Sequence, residues 1–495
     1  MVPADAHRFD RLTRTANIIV GVSGCFCVLL LLYYFYHYTW TGKRALTSPV
    51  GMILYCGLPA VLAAMLFASL RLRPLPRISF ALVFVSVVAA TFAANLFFAL
   101  REFSPTRSNR TMWFSESDFP DLVKVAKKHN VIFDTRNKLE VIRDLQSRGI
   151  DAVPSIPPLE LMPLQSDGTR KSVLTLDGTE VLPHGGMSNK VTVYCNESGT
   201  HEWYESDEHG FHNPKGVWSA AQIDVVALGD SYTQGHCVAS DTNFVALIRR
   251  HYPRTLNLGI NGQGPLMTLA TLRDYALSLK PKVVLWFFYE GNDMTDLAEE
   301  KKSPLLMRYL QSDFRQPLLQ RQTDIDQALE AFIRTRIASF RPARKPPETS
   351  SNKISRSLFL LKEFVKLSHL RRMLGLAYGS YRDEEEEPIE GSLMDSLKQA
   401  LREGKELVES WGGRLYFVYL PDRDRYAHQT SAMSIRAHVL RAVRHLGIPL
   451  IDIDHAFRPQ PDPLALFPFR RLGHYNEAGH RLVAEEVLRT MTLGH

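Results

Sequence analysis

Three long apolar segments occupy the first hundred residues of this 495-residue chain, at residues 16–40, 47–70 and 78–100. The first of them, from Ala16 to Trp40, contains no Asp, Glu, Lys or Arg. Each segment reaches the roughly 20 residues that a helix needs to cross a bilayer. The first segment is too long for a signal peptide and lacks a small-residue cleavage site. The pattern therefore predicts three transmembrane helices, in a membrane region that covers residues 1–100.

Arginines flank these segments unevenly. Three lie before the first segment and three lie between the second and the third: Arg8, Arg11, Arg14, Arg71, Arg73 and Arg77. The loop between the first two segments carries only Lys43 and Arg44. Loops rich in Lys and Arg tend to stay in the cytoplasm. The chain after residue 100 is therefore predicted to lie outside the cytoplasm.

The rest of the chain alternates apolar runs with amphipathic segments. Residues 101–220 predict a linker helix and a small β-rich element. The continuous apolar runs Val225 to Leu228 and Val283 to Tyr289 are typical of buried parallel strands, and they place an α/β domain at 221–495. A helical insertion interrupts this domain at about 300–400. Three interpretations of this insertion stay open: a lid over the site, a basic surface that docks on the membrane, and a solvated helical hairpin. The hairpin is favoured.

Ser231 follows the first of these strands, in the sequence Leu-Gly-Asp-Ser. Gly229 permits a sharp turn, and Asp230 and Ser231 lie where the next helix would begin. The free N–H groups and the positive end of the dipole at a helix start can stabilise an oxyanion. The pattern favours a nucleophilic serine at this edge of the sheet.

Three further motifs follow in order. They are the glycine-rich run 257–264, the sequence Glu-Gly-Asn-Asp at 290–293, and the sequence Gly-His-Tyr-Asn at 473–476. With Ser231 they give the order Ser, Gly, Asn, His, and the chain resembles the SGNH (GDSL-type) hydrolase superfamily over about residues 222–298 and 413–490. The resemblance, to a membrane-anchored bacterial member, implies a flavodoxin-like three-layer α/β/α domain with a parallel sheet.

The resemblance also implies roles for individual residues. Ser231 is the expected nucleophile and His474 the general base that takes its proton, since a serine hydroxyl is a poor nucleophile without such a base. The N–H groups of Ser231 and Gly262 and the side-chain amide of Asn292 are the expected oxyanion hole. Two carboxylates beside the motifs are predicted to support the site: Asp230 and Asp293.

One triad member is missing from its expected place. Family members carry an Asp two or three residues before the histidine, where this chain has Leu472 and Arg471. Three interpretations stay open. The enzyme uses a Ser–His dyad, which is favoured because the other motifs are intact. Alternatively the site is degenerate, or another acid reaches the histidine from a loop, and there are three candidates for that acid: Asp452, Asp454 and Asp462.

The other chemistry of the chain is limited. The formal charge of +7 is spread along the sequence, and no zinc-finger spacing, P-loop or dinucleotide fingerprint occurs. We therefore expect no nucleic-acid partner, no cofactor and no metal site. Cys195 and Cys237 lie in the predicted exterior domain, where an oxidising compartment permits a disulfide; two buried free thiols are the alternative. His236 either contacts substrate or is exposed.

These observations predict a membrane-anchored serine esterase or O-acyltransferase that works through an acyl-enzyme. By analogy with the family, its substrate is an acyl (acetyl) ester of an envelope or exported polysaccharide. We expect a multi-pass protein of the bacterial inner membrane whose catalytic domain lies in the periplasm. Expected partners are the lipid bilayer, the acylated carbohydrate and other polysaccharide-assembly proteins. The alternatives are a non-catalytic glycan-binding or scaffold component of a polysaccharide export machine, and a lipid-directed esterase.

Overall fold

The computed structural model describes residues 3–40, 56–102, 119–311, 313–339, 367, 391–427, 433–471 and 473–493. The chain divides into two compact units near residue 103. The first unit contains the N-terminal helices. The second contains both the β-rich element and the α/β sheet, which therefore belong to one compact unit.

The N-terminal unit consists of helices α1 (Pro3–Trp40), α2 (Leu58–Ser69) and α3 (Pro74–Glu102). Only two helical segments in the described residues are long and apolar enough to cross a membrane, Phe9–Tyr34 and Pro74–Phe97. The described residues therefore contain two candidate spans rather than the three predicted, and the second predicted span, 47–70, is described only from residue 56 onward. The described part of the second segment is the 12-residue helix α2, which begins after Gly57 with a proline in its first turn. Proline favours such a start, and residues 41–55 lie outside the described part.

The second unit is built on a five-stranded parallel sheet. Its strands are β6 (Val225–Leu228), β7 (Thr255–Asn257), β8 (Val283–Tyr289), β9 (Arg414–Leu420) and β10 (Leu450–Asp452). Their spatial order is β7-β6-β8-β9-β10. Counted along the chain, this is the order 2-1-3-4-5 of flavodoxin-like sheets. The predicted flavodoxin-like parallel sheet is confirmed.

Helices cover both faces of this sheet, so the predicted three layers are present. The helices of this part of the chain are α7 (Ser231–Gln234), α8 (Phe244–His251), α9 (Pro265–Thr271), α10 (Asp293–Glu300), α11 (Pro304–Met307), α12 (Gln322–Ser339), α13 (Gly391–Ser410), α14 (Asp424–Ala427), α15 (Met433–His445), α16 (Asp454–Phe457) and α17 (Glu477–Leu493). A hydrophobic core lies on each face of the sheet, and successive residues of β8 point alternately into one core and the other. Trp286 packs on the side of α9, α13 and α15, and Phe287 packs on the side of α8 and α17.

The β-rich element precedes the sheet in sequence. It contains helices α4 (Phe119–Lys128), α5 (Lys138–Ser147) and α6 (Pro158–Leu161), and strands β1 (Ala152–Pro154), β2 (Thr175–Leu176), β3 (Thr179–Glu180), β4 (Val191–Cys195) and β5 (Glu202–Glu205). Strand β4 lies between β1 and β5 in a three-stranded sheet. Helix α5 covers this sheet with buried Val141, Ile142 and Leu145. A short loop at residues 196–201 joins β4 to β5.

The start of the insertion is packed rather than solvated. Leu306 and Tyr309 are fully buried in the core beside the sheet, and Ile325 and Leu329 bury one face of α12. The hairpin interpretation is therefore wrong for residues 300–339. The lid and membrane-surface interpretations concern residues that lie largely outside the described part, at 340–366 and 368–390.

Candidate active site

The backbone around Ser231 forms a tight turn from strand to helix. Gly229 has φ +150°, and a Cβ there would lie 2.5 Å from Thr233 Oγ1 and 3.0 Å from the carbonyl oxygen of Phe287. Only glycine fits this conformation and this space. Asp230 then caps α7, since its Oδ1 accepts a hydrogen bond from the N–H of Tyr232 at 3.0 Å. Ser231 is thereby held at the first residue of the helix, at the carboxyl edge of β6.

His474 and Glu197 complete a hydrogen-bonded chain with this serine. Nε2 of His474 lies 2.9 Å from Oγ of Ser231, and its Nδ1 lies 2.8 Å from Oε1 of Glu197. The other carboxylate oxygen of Glu197 accepts the backbone N–H of His474 at 3.3 Å. Serine, imidazole and carboxylate thus stand in the order and at the distances of a catalytic triad.

Glu197 corrects the favoured Ser–His dyad. The acid comes from the loop between β4 and β5, outside the five-stranded sheet, and is 277 residues from His474 along the chain. The three alternative carboxylates are engaged elsewhere by arginines. Asp452 pairs with Arg436, Asp454 with Arg458, and Asp462 with Arg470. Leu472 lies outside the described residues, and Arg471, its neighbour in sequence, is exposed.

One signal in the sequence could have located Glu197. It lies two residues after Cys195, and Cys237 lies six residues after Ser231. The structure joins Cys195 to Cys237 in a disulfide. A disulfide between these two positions brings any residue near Cys195 close to the nucleophile, so the acids beside Cys195 were candidates for the missing triad member.

The electrostatic surroundings of His474 favour its charged form. Burial alone would lower the pKa of the imidazole, but the charge and hydrogen bond of Glu197, together with the charge of Asp230, outweigh burial and raise that pKa. A raised pKa makes the imidazole a stronger base toward the serine hydroxyl. The hydrogen bond to Glu197 also fixes the proton on Nδ1, which leaves the lone pair of Nε2 facing Ser231.

His236 is a buried neighbour of this histidine, so the interpretation of His236 as exposed is wrong. Its ring centroid lies 5.0 Å from that of His474, and its Nε2 lies 3.1 Å from Oε1 of the buried Gln234. Burial lowers the pKa of His236 well below its ordinary value, and the charge of His474 acts in the same direction. His236 is therefore neutral when His474 accepts a proton.

The three expected oxyanion donors are placed as follows. In the described part of the chain, no acceptor is bonded to the backbone N–H of Ser231 or to that of Gly262. Gly262 has φ +79° in the loop after β7. Asn292 is the N-cap of α10, and its Nδ2 donates one hydrogen to Oδ2 of Asp296 at 2.8 Å. An amide nitrogen carries two hydrogens, and the Asn292 side chain also bonds to the carboxylate of Asp230, so an oxyanion would have to take the place of one of these two acceptors.

Replacing Asn292 by Ala is expected to lower kcat by about 100- to 1,000-fold, the usual cost of losing one oxyanion donor. KM should change much less, because the donor acts on charge that develops in the transition state. The matched control is Asp296→Asn, whose side-chain oxygen still accepts from Asn292 and should preserve kcat. Steady-state kinetics with an activated ester measure both variants, and an unchanged kcat for Asn292→Ala would remove this residue from the oxyanion hole.

The two predicted supporting carboxylates are both buried. Asp230 caps α7, and burial raises its pKa to about 6. Oδ2 of Asp293 accepts the backbone N–H of Tyr289 at 3.1 Å, which fixes the end of β8. Burial also raises the pKa of Asp293, and the nearby charge of Asp230 adds to that rise. Each carboxylate therefore holds the backbone of a turn that carries a site residue.

A third carboxylate, Glu300, was not predicted from the sequence. It is fully buried at the end of α10, and its two oxygens accept the N–H groups of Gly264 at 2.7 Å and Leu266 at 2.9 Å. A Cβ on Gly264 would lie 2.8 Å from Cβ of Asp296, so α10 packs directly against the loop that carries Gly262. One helix thus supports both the Gly262 loop and Asn292.

Glu300→Ala is expected to destabilise the fold, because it leaves two buried N–H groups without acceptors, at about 1–3 kcal/mol for each. Burial raises the pKa of Glu300 from 4.5 to about 8. The folded state therefore disfavours the charged carboxylate, and this group makes stability fall as the pH rises from 4.5 to 8. Glu300→Gln should remove that part of the pH dependence. Urea unfolding at low and high pH tests this, and an unaltered slope for Glu300→Gln would contradict it.

Comparison with solved structures finds several similar chains at low sequence identity. The chain is similar to a GDSL-like lipase from Bacteroides thetaiotaomicron, with 10% identity over 56% of this chain and 95% of that chain, and a TM-score of 0.30. It is similar to an acetyl xylan esterase, with 11% identity over 54% of this chain and 98% of that chain, and a TM-score of 0.28.

A third similar structure is a two-domain esterase active on acetylated mannans. The identity is 13%, 55% of this chain and 50% of that chain are covered, and the TM-score is 0.27. No family model and no curated protein sequence matches the chain. At these identities and TM-scores, the likenesses establish no activity for this chain.

Proposed function

We propose that this protein is an SGNH-type serine hydrolase or acyltransferase that acts on ester bonds through an acyl-enzyme. The observation that carries the proposal is the chain of hydrogen bonds from Ser231 through His474 to Glu197, at 2.9 and 2.8 Å. A binding module has no need for a nucleophile, a base and an orienting acid in this order. The missing acid was the reason to consider a non-catalytic scaffold, and Glu197 removes that reason.

We propose the following reaction steps. Oγ of Ser231 attacks the ester carbonyl carbon while Nε2 of His474 takes the serine proton. The carbonyl oxygen becomes an oxyanion that accepts hydrogen bonds from Ser231 N–H, Gly262 N–H and the amide of Asn292. His474 then gives its proton to the leaving alcohol, and the acyl group remains on Ser231. A water or sugar hydroxyl, deprotonated by the same imidazole, takes the acyl group in the second half of the reaction.

We further propose that the substrate is an acetylated polysaccharide of the cell envelope or an exported one. The family resemblance and two apolar N-terminal helices support this proposal. Phe9–Tyr34 and Pro74–Phe97 would anchor the chain in the bacterial inner membrane. A periplasmic catalytic unit then requires that the segment between these two helices crosses the membrane once more, because the arginine-rich N-terminus is expected in the cytoplasm. Partners in such a setting are the lipid bilayer, the acylated glycan and other polysaccharide-assembly proteins.

The experiment uses the full chain in detergent micelles, with acetylated xylan oligosaccharides and p-nitrophenyl acetate as acetyl donors. Release of free acetate from the oligosaccharide identifies a hydrolase. Transfer from p-nitrophenyl acetate onto a deacetylated oligosaccharide, detected by mass spectrometry, identifies a transferase. Ser231→Ala is the control that must lose both activities. A folded protein that neither hydrolyses nor transfers acetyl groups from either donor would contradict the proposal.

A further inference from the structure

The disulfide between Cys195 and Cys237 connects the two parts of the chain that carry opposite ends of the triad. We propose that this disulfide positions Glu197 against His474, so that the proposed catalytic activity depends on the redox state of this cysteine pair. The inference rests on the proposed function, because it assumes that Glu197 orients the catalytic base. If it holds, a dithiol reductant would regulate the activity of this same site.

Cys237 is anchored rigidly to the nucleophile. It lies just beyond α7, is buried, and has φ +69°. The N–H of the preceding residue, His236, bonds to the carbonyl oxygen of Ser231 at 2.9 Å. The Cα atoms of the two cysteines are 5.5 Å apart. The bond therefore fixes Cys195 relative to a segment whose other end is Ser231.

Strand β4 reaches the same segment just before Cys195. The hydroxyl of Tyr194 donates to the carbonyl oxygens of Gly235 and Val238, which flank Cys237, at 3.1 and 2.9 Å. This contact holds the end of β4, but the chain leaves the strand at Cys195, and Glu197 follows only two residues later. The disulfide is thus the covalent attachment closest to the triad acid.

The far side of the Glu197 loop is attached to a different part of the unit. Nδ2 of Asn196 donates to the carbonyl oxygen of Asp134 at 2.8 Å, and the N–H of Asp134 donates to the carbonyl oxygen of Gly199, also at 2.8 Å. Asp134 belongs to the segment between α4 and α5, outside the catalytic sheet. These bonds shape the loop, but they do not tie it to the segment of Ser231.

Reduction would break this attachment in one balanced step. A dithiol transfers two electrons and two protons to the disulfide, which gives two cysteine thiols and leaves the dithiol as an intramolecular disulfide. Cys195 is partly exposed, so a small dithiol can reach it. The Glu197 loop then keeps its bonds to Asp134 but loses its covalent link to α7. Glu197 no longer holds His474 at hydrogen-bond distance, and the triad becomes a weaker dyad.

The test compares Cys195→Ser/Cys237→Ser with the wild type and with Glu197→Gln. We expect loss of the disulfide to lower kcat by about 10- to 100-fold, the order expected from a misplacement of about 1 Å. The acid limb of the pH profile should move in the same direction as in Glu197→Gln. In the Glu197→Gln background, loss of the disulfide should cost little more, because both changes act through one residue. Leu401→Ala, a buried change on α13, controls for lost stability alone.

Dithiothreitol acts on the native protein and covers the case in which the double variant fails to fold. Dithiothreitol should lower the activity of the wild type reversibly. It should lower the activity of Leu401→Ala by the same factor, because that variant keeps the disulfide. The inference would be overturned if removing the disulfide lowered kcat by the same factor in the wild type and in Glu197→Gln. It would also be overturned if the double cysteine variant had a lowered Tm but an unchanged kcat. Full activity in Ser231→Ala would instead overturn the proposed function, so the two failures are distinguishable.

Discussion

Ser231→Ala is expected to lower kcat by about a million-fold, the loss seen when a triad nucleophile is removed. Without Oγ no acyl-enzyme forms, and the remaining oxyanion donors act only on a direct attack by water. Binding should change little, because the alanine removes one oxygen at a site whose backbone is fixed by Gly229 and Asp230. Hydrolysis of p-nitrophenyl acetate, with thermal unfolding as a check on the fold, measures the effect.

The control for this variant is Ser410→Ala, an exposed serine at the end of α13. It should match the wild type in kcat and in Tm. If Ser231→Ala retained more than about a hundredth of the wild-type kcat, a covalent mechanism through Ser231 would be untenable, since even loss of the orienting acid costs about ten thousand-fold.

Glu197→Gln is expected to lower kcat by about ten thousand-fold and to move the acid limb of the pH profile to lower pH. The neutral imidazole is the active form of His474, so activity falls as the pH drops through its pKa. Burial lowers the pKa of His474, and the charge of the Glu197 carboxylate makes the largest contribution that raises it. Removing the negative charge leaves burial to dominate, so the limb moves down in pH while the maximal rate falls.

The matched control is Glu202→Gln, five residues further along the same β4–β5 region. Burial raises the pKa of Glu202, and the charge of Glu477 adds to the rise, but Glu202 makes no described bond to His474. It should leave the profile unchanged. Profiles of kcat/KM between pH 4 and 9 decide the matter. A limb that stays in place in Glu197→Gln would show that another group governs the pKa of His474.

Local signals were sufficient for much of this structure. Continuous apolar runs such as β8 are typical of buried strands in an α/β sheet, and the residues that follow β6 and β8 meet at one sheet edge because the strands are parallel. Ser231, Gly262 and Asn292 were therefore placed from sequence spacing and from the resemblance alone. Their local geometry, such as the cap by Asp230, follows from residue types within a few positions.

Two features could not be obtained this way. Glu197 reaches His474 across 277 residues, from an element whose packing depends on tertiary contacts and on a disulfide that spacing alone cannot fix. The number of apolar helices is the other feature. Hydropathy marks 47–70 as one apolar segment, whereas the described helix within it, α2, has 12 residues, and residues 47–55 lie outside the described part.

The most direct test of the account is the site of covalent labelling by a fluorophosphonate, which mimics the tetrahedral oxyanion on an activated serine. The full chain is treated with the probe, digested and mapped by mass spectrometry. We predict one adduct, on Ser231, that is absent in Ser231→Ala and forms much more slowly in Glu197→Gln. An unlabelled Ser231 in the folded wild-type protein, or an adduct on another residue that persists in Ser231→Ala, would contradict a Ser231–His474–Glu197 triad.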